Sequence, residues 1–253
     1  MINNRGSGIL LHPTSLPGKF GTGDFGTEAF NFVDWLVSAG QTYWQMLLLG
    51  EIGPGNSPYM SSSAFAGNIL LIDIDEFVLL GWLAEDAIIP HSKFSDSRVN
   101  YPLLHSYKLE KLQLASTAFF SNEIMKDSYY DFCKEETDWL EDYALFMAIS
   151  EEEDWQEWIC WKEELAHRNI DALQEAKKRL VDSINFWKFC QWCFSRQWFK
   201  LKDYANKRGI QIIGDMPIFV AYQSADVWAN QNLFELDEYG YSTVVAGVPP
   251  DYF

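Results

Sequence analysis

Residues 42–49, Thr-Tyr-Trp-Gln-Met-Leu-Leu-Leu, form a nearly unbroken apolar run. Such a run reads as a strand covered on both faces, the mark of parallel sheets packed beneath helices. What precedes it agrees. Gly8 to Leu11 is strand-like and is closed by Pro13 and the turn signal Leu16-Pro17-Gly18. Asp24 is placed to N-cap a helix running to about Ala39, with Ala29, Phe30, Val33, Leu36 and Val37 at helical spacing and Gly40 ending it. Strand, helix and strand in succession make a βαβ unit, whose two strands run parallel.

The pattern returns near the end of the chain. A helix over about Ser183 to Lys207 closes with Gly209 and delivers Ile210-Gln211-Ile212-Ile213, stopped by Gly214-Asp215. A short helix follows near Ala225 to Ala229, and Leu236 to Phe253 is rich in turns. Between the two patterns lies a polar loop, Gly50 to Ser63, too long for an idle connection and so expected to line something. Ile69 to Ile74 reads as a short strand within an insertion. From Tyr101 to Asp182 the pattern is helical and acidic. Lys134 to Glu164 holds twelve acids and two lysines, the composition of solvated helix faces, while Trp139, Leu140, Tyr143, Phe146, Met147, Trp155, Trp158 and Trp161 supply an apolar stripe. Residues 1–100 therefore read as two strands with a loop insertion, 101–182 as an inserted helical subdomain, and 183–253 as a third strand unit. The fold class is α/β. A (β/α)8 barrel needs about 250 residues without insertions. With 101–182 set aside and only three barrel-type strands visible, the barrel reads as incomplete.

Composition narrows the function. Apolar residues make up 48% and aromatics 16%, enough to offset chain entropy and exclude disorder. The chain carries 36 acids against 19 bases, a net charge of −17 that repels polyanions, so no nucleic-acid partner is expected. No apolar run approaches the roughly 20 residues that cross a bilayer, and Ile9-Leu10-Leu11 is too short for a secretory core, so a cytoplasmic protein without a membrane partner is the expectation. Four cysteines are too sparse for a disulfide scaffold and read as reduced core thiols.

Several spellings lose to plainer readings. Gly21-Thr22-Gly23-Asp24-Phe25-Gly26 matches a dinucleotide fingerprint, but residues 12–20, with two prolines, separate it from the strand, so it reads as a turn. Cys190-Gln191-Trp192-Cys193 falls mid-helix among aromatics and reads as buried thiols. The four histidines form no ligand spacing, so neither metal nor cofactor is expected. Nucleophile-elbow, P-loop and EF-hand spellings are absent. Two residues stand out. Tyr59, in a Gly/Pro/Ser loop that offers little core, is expected to face a cleft. Asp215 ends a nearly all-apolar strand, where barrel enzymes place their chemistry. Asp226, Asp237 and Asp251 are weaker candidates, because Asp is common in turns.

Longer blocks carry a resemblance. Ser7 to Gly18 (Ser-Gly-Ile-Leu-Leu-His-Pro-Thr-Ser-Leu-Pro-Gly), Trp44-Gln45, Ser57-Pro58-Tyr59, Ser63 to Asn68, Ile213 to Ala221, Ser224 to Ala229 and Ala246 to Phe253 are similar to segments of the amylomaltases, the 4-alpha-glucanotransferases or disproportionating enzymes. The resemblance implies a retaining (β/α)8 enzyme that moves α-1,4-glucan segments between maltooligosaccharides by double displacement. It covers the N-terminal half of such an enzyme, ending before strand four. The family's nucleophile, in an Arg-x-Asp-His-Phe-Arg-Gly stretch, and its other two carboxylates are expected beyond Phe253. What maps onto this chain is substrate-binding: Tyr59 packing against or hydrogen-bonding the sugar beside the cleaved bond, Ser57 nearby, Asp215 holding that sugar's hydroxyls, and Asp251 within the 247–252 stretch that begins the acceptor-side loop. Departures from the pattern occur at Leu48 and Ile69, where prolines are usual, and at Glu51-Ile52 in place of Pro-Thr.

Three functions compete on this reading. The first is a glucanotransferase chain inactive alone; the second is a non-catalytic glucan-binding or half-barrel module that pairs with a separate C-terminal polypeptide. The third is a self-sufficient hydrolase using Asp215 with Asp226 or Asp251. Three parallel strands would leave open edges and uncovered apolar faces. The isolated chain is therefore predicted to self-associate in size-exclusion chromatography, and a monomeric peak with cooperative melting would contradict this.

Overall fold

The computed structural model describes residues 5–95, 97–122, 125–244 and 247. Three short strands, β1 (Gly8–Leu10), β2 (Tyr43–Gln45) and β3 (Gln211–Ile213), pair in parallel in the order β1-β2-β3. Ile9, Trp44 and Ile212 align across the sheet, as do Leu10, Gln45 and Ile213. Helix α1 (Thr27–Ser38) joins the first two strands, and α2 (Asp75–Leu79) follows the long loop. Then come α3 (Tyr101–Phe120), α4 (Lys126–Glu135), α5 (Thr137–Glu152), α6 (Glu163–Ala166), α7 (Ile170–Arg179) and the 27-residue α8 (Val181–Lys207), with α9 (Ala225–Ala229) beyond β3. None of the described helices is long and apolar enough to cross a membrane.

One face of the sheet is covered. Trp44 is wholly buried among Ala29, Val33 and Leu36 of α1 and Leu201 and Ala205 of α8, and its indole N–H donates to the Leu11 carbonyl at 2.8 Å. The other face is open. Leu10 and Gln45 are exposed, so the apolar run is not covered on both sides as its composition predicted. The strand also stops at Gln45 instead of reaching Leu49. The period of two sends alternate residues to the face on which nothing described packs. Residues 46–49 leave the sheet after one more bond, Met46 N–H to the Ile213 carbonyl, and turn toward the loop.

A larger core lies beside the sheet. The helices of 101–182 pack with α8, α9 and the 69–83 segment around an aromatic centre in which Phe119 lies 5.0 Å from Trp192 and 5.2 Å from both Trp82 and Phe189. Cys190 and Cys193 sit inside it as free thiols. Cys133 is only half-buried and Cys160 is exposed, so those two are not core thiols. None of the twelve acids of residues 134–164 is fully buried. Arg179 grips Glu152 through two bonds of 2.7 Å, and Arg168 meets Asp142 at 2.7 Å.

Two local expectations give way to longer-range demands. Asp24 does not cap α1. The helix starts three residues later behind Gly26, because one Asp24 oxygen accepts from the Gly26 amide and the other meets Lys108 at 2.9 Å. The Lys108 side chain has no exposure and must be paired. Ile69–Leu71 is a single turn of 3-10 helix and not a strand, since the Asn68 side chain accepts the Leu70 N–H and all three apolar residues drop into the core. Gly21, with φ +82°, makes the expected ordinary turn, its N–H bonded to the Gly18 carbonyl.

Lys108 also donates to the Ile72 carbonyl and sits among carboxylates. Burial, reinforced by the Asp24 charge and opposed by Lys108, pushes the Asp73 carboxyl up to about 6. A carboxyl raised on folding binds its proton more tightly in the folded state, so its ionisation lowers stability between about pH 4 and 6. Lys108→Ala would leave half-buried carboxylates without their cation and should destabilise the chain by about 3 kcal/mol in urea unfolding, whereas a loss under about 1 kcal/mol would mean the pair is dispensable.

Candidate functional site

The C-terminal ends of β2 and β3 open onto a cleft of about 400 Å³. Three segments build its walls: residues 46–50 leaving β2, the loop from Pro58 to Gly67, and residues 214–221 leaving β3. Parallel strands deliver their outgoing loops to one side, and for that reason segments far apart in sequence converge there.

The 58–67 loop is held at several points. Gly50 and Gly67 form an antiparallel bridge, and the Asn68 N–H donates to the Leu49 carbonyl at 2.8 Å. Gln191 of α8 clasps Gly67 twice, accepting from its N–H at 2.7 Å and donating to its carbonyl at 3.0 Å. A Cβ at Gly67 would stand 2.2 Å from the Phe194 ring, so only glycine fits this close approach to α8. Asp226, at the start of α9, accepts from the Ala64 N–H at 2.9 Å.

Tyr59 and Asp215, 156 residues apart, meet in the cleft. The Tyr59 hydroxyl donates to Asp215 Oδ2 at 2.7 Å, and the Met216 N–H donates to Oδ1 at 2.8 Å. These two bonds hold the Asp215 carboxyl below its usual range, while the tyrosine, facing that carboxylate, is pushed above its own. Asp215 stays solvent-exposed, with lone pairs still free for an incoming donor. Around the pair the lining is apolar: Phe65, Phe219, Met216 and Pro217 at the rim, Phe194 and Trp198 from α8 behind. Apolar walls with a few placed polar groups suit a ligand with apolar faces and hydroxyl edges.

The other predicted residues lie elsewhere. Ser57 shapes the turn, its Oγ accepting the Tyr59 N–H at 3.3 Å and its carbonyl the Gly53 N–H at 2.9 Å, and it is not among the cleft-lining residues. Asp226 is engaged by Ala64 and Ser63 and does not line the cleft either. Asp251 lies outside the described residues. Among the described lining residues Asp215 is the only carboxylate, and no group of three metal-ligating side chains converges anywhere among the described residues. His12 is structural. Its Nδ1 accepts from the Thr14 N–H, its Nε2 faces the Leu48 carbonyl at 3.1 Å, and burial lowers its pKa against the pull of that carbonyl.

Residues 11–253 match the family profile for 4-alpha-glucanotransferases. The chain belongs to the 4-alpha-glucanotransferase family. It is 45% identical over 256 residues to the enzyme of Synechocystis, covering 100% of this chain and 51% of that one. It is also 47% identical to that of Thermus thermophilus, covering 98% and 49%. The amylomaltase of Streptococcus agalactiae, solved in complex with acarbose, superposes with a TM-score of 0.95 at 41% identity over 99% of this chain and 51% of the other. The amylomaltase of Corynebacterium glutamicum, at 19% identity and a TM-score of 0.65, shares the fold. The chain thus spans about half the length of the curated relatives it matches.

Reading the sequence of this 4-alpha-glucanotransferase relative residue by residue singled out Tyr59 and Asp215 but passed over Phe65, Met216 and Phe219. Their signal was present. All three fall inside the blocks 63–68 and 213–221 that carry the resemblance, and aromatic or thioether side chains in such loops have little core to enter. In Tyr59→Phe, Asp215 loses its hydroxyl donor, and its carboxyl should titrate at higher pH in an NMR titration of the side-chain carbon. An unmoved titration would show that the Tyr59 contact does not form in solution.

Proposed function

We propose that this chain forms one wall of the glucan site in a retaining 4-alpha-glucanotransferase that moves α-1,4-glucan segments between maltooligosaccharides by double displacement. The observation that carries the reading is the Tyr59–Asp215 pair, set in an apolar cleft at the C-terminal ends of parallel strands. Asp215 accepts sugar hydroxyls and Tyr59 orients it while its ring packs against the apolar face of the sugar. Ser57 holds the turn that presents Tyr59, and Asp251 belongs to the acceptor side. The acarbose complex of the Streptococcus agalactiae relative supports a glucan-like ligand.

Retention needs two carboxyl groups about 5–5.5 Å apart, one nucleophile and one acid/base. The cleft offers Asp215 alone among its described residues, and in this reading it is a binding group. In this reading the nucleophile and acid/base come from outside the described residues. The sheet is read as the first three units of an incomplete (β/α)8 barrel, with residues 101–182 as a helical insertion. Its open face, with Leu10 and Gln45 exposed, supports this, since in a closed barrel alternate strand residues fill the interior. The isolated chain should bind maltoheptaose weakly in calorimetry without disproportionating maltotriose, and Asp215→Asn should weaken binding by about tenfold or more through loss of charge-assisted bonds. Turnover well above background, or binding indifferent to Asp215→Asn, would sink the reading.

A second reading is favoured by the apolar surface beside the cleft, where Ile218 is 92% exposed and Met216 80%. In it the chain is a non-catalytic module that pairs with a separate C-terminal polypeptide, or with itself, across that surface. Activity restored on mixing the two polypeptides would support it, and absence of association at micromolar concentration would count against it.

A further inference from the structure

Glu51 lies just beyond β2, where a charged residue has no obvious reason to turn inward. It does turn inward. One carboxyl oxygen accepts the Ser62 hydroxyl and the other accepts the Tyr143 hydroxyl of α5 at 3.0 Å. The Tyr143 oxygen in turn accepts an N–H of Gln191 at 3.3 Å, and Gln191 is the α8 side chain that clasps both backbone groups of Gly67. Tyr143 and Gln191 are each 1% exposed. The polar chain therefore runs unbroken from residue 51 through the helical core to residue 67, and touches the intervening loop at Ser62. Ser62 is fixed from the other side as well, its carbonyl accepting the Ala225 N–H of α9 at 2.8 Å.

We infer that Glu51 is a positioning residue: through Ser62 and the Tyr143–Gln191 relay it sets the loop that carries Tyr59, and so sets the contact between Tyr59 and Asp215. The consequence for substrate rests on the glucan-binding reading, whereas the positioning itself does not. Loops at sheet ends open locally at low cost unless tied down, and a tie through buried polar groups is strong because each group left unpaired costs its full desolvation. Burial raises the Glu51 carboxyl above its usual range while the Ser62 and Tyr143 hydroxyls pull it down, as expected where an acid is retained inside for the bonds it accepts. Glu51 is not among the cleft-lining residues and faces a second pocket behind the loop, so its effect on substrate passes through the loop and not through direct contact.

The test uses the 253-residue chain without sugar. In Glu51→Ala, amide exchange over residues 57–67 should quicken about tenfold. The Asp215 carboxyl should also titrate upward as it does in Tyr59→Phe, because its donor is no longer held in place. Glu51→Gln, which keeps an accepting oxygen, should restore both readouts to near the parent values. Tyr143→Phe should move them in the same direction as Glu51→Ala, and it decides the matter if Glu51→Ala does not fold. An Asp215 titration and loop exchange unchanged in folded Glu51→Ala or Tyr143→Phe would overturn the inference. Maltoheptaose binding measured alongside separates the two readings: no binding by the parent chain removes the glucan site and leaves the positioning result standing on exchange and titration.

Discussion

Parallel pairing puts the outgoing ends of all three strands on one side, and β2 is the strand that makes this possible here. Trp44 bonds to Leu11, lies in register with Ile9 and Ile212, and packs under α1 and α8. With that register in place, the segments after β2 and β3 must face each other across a cleft. A slip of one residue would turn Trp44 outward and send the 46–50 segment to the wrong level. The cleft and the facing of the Tyr59 and Asp215 segments depend on a three-residue strand whose middle side chain is fully buried.

Three strands of three residues cannot satisfy the long excursion from Gly50 to Leu83, and the structure meets that demand from α8. Gln191 bonds both the N–H and the carbonyl of Gly67. Two turns further along, Gln197 does the same for Asp73, accepting at 2.7 Å and donating at 3.0 Å. A glutamine amide carries the same donor and acceptor as a peptide group, so each stands in for the neighbouring strand that this segment lacks. Both glutamines are almost completely buried in a helix otherwise lined by Trp187, Phe189, Trp192 and the two cysteines, and each spends its second N–H on a neighbouring side chain, Gln191 on the Tyr143 hydroxyl and Gln197 on Glu76. The loop bearing Tyr59 is thus anchored to the same helix that roofs the sheet.

Much of this was legible from the residues. The three strands and their parallel sense, the long helix before β3, α9 to the residue and the exposure of the acidic run were each readable from periodicity and composition. Tyr59 and Asp215 were visible as isolated candidates, and the family resemblance set both against one sugar, although their direct hydrogen bond was in neither reading. What misled was local propensity taken alone. Asp24 looks like a helix cap and Ile69 to Ile74 like a strand, yet Lys108 claims the first and the Asn68 cap, together with the core, claims the second. Glu51 was visible only as a departure from a pattern, because nothing near it in the chain says that Tyr143 and Ser62 will close around it.

Hydrophobic period, turn residues and strand-ending glycines act over a few residues, so the sequence by itself determined the three strand segments, the long helix before β3 and that the fold is α/β with a parallel sheet, while element ends and the 69–74 segment were settled by longer-range contacts. Tertiary structure decided what those segments meet. The pairing of Tyr59 with Asp215, of Lys108 with Asp24 and of Glu51 with Tyr143 spans 84 to 156 positions. Such contacts depend on where whole helices settle, and helices settle where apolar area is buried and every enclosed polar group finds a partner. No local window of residues contains that information.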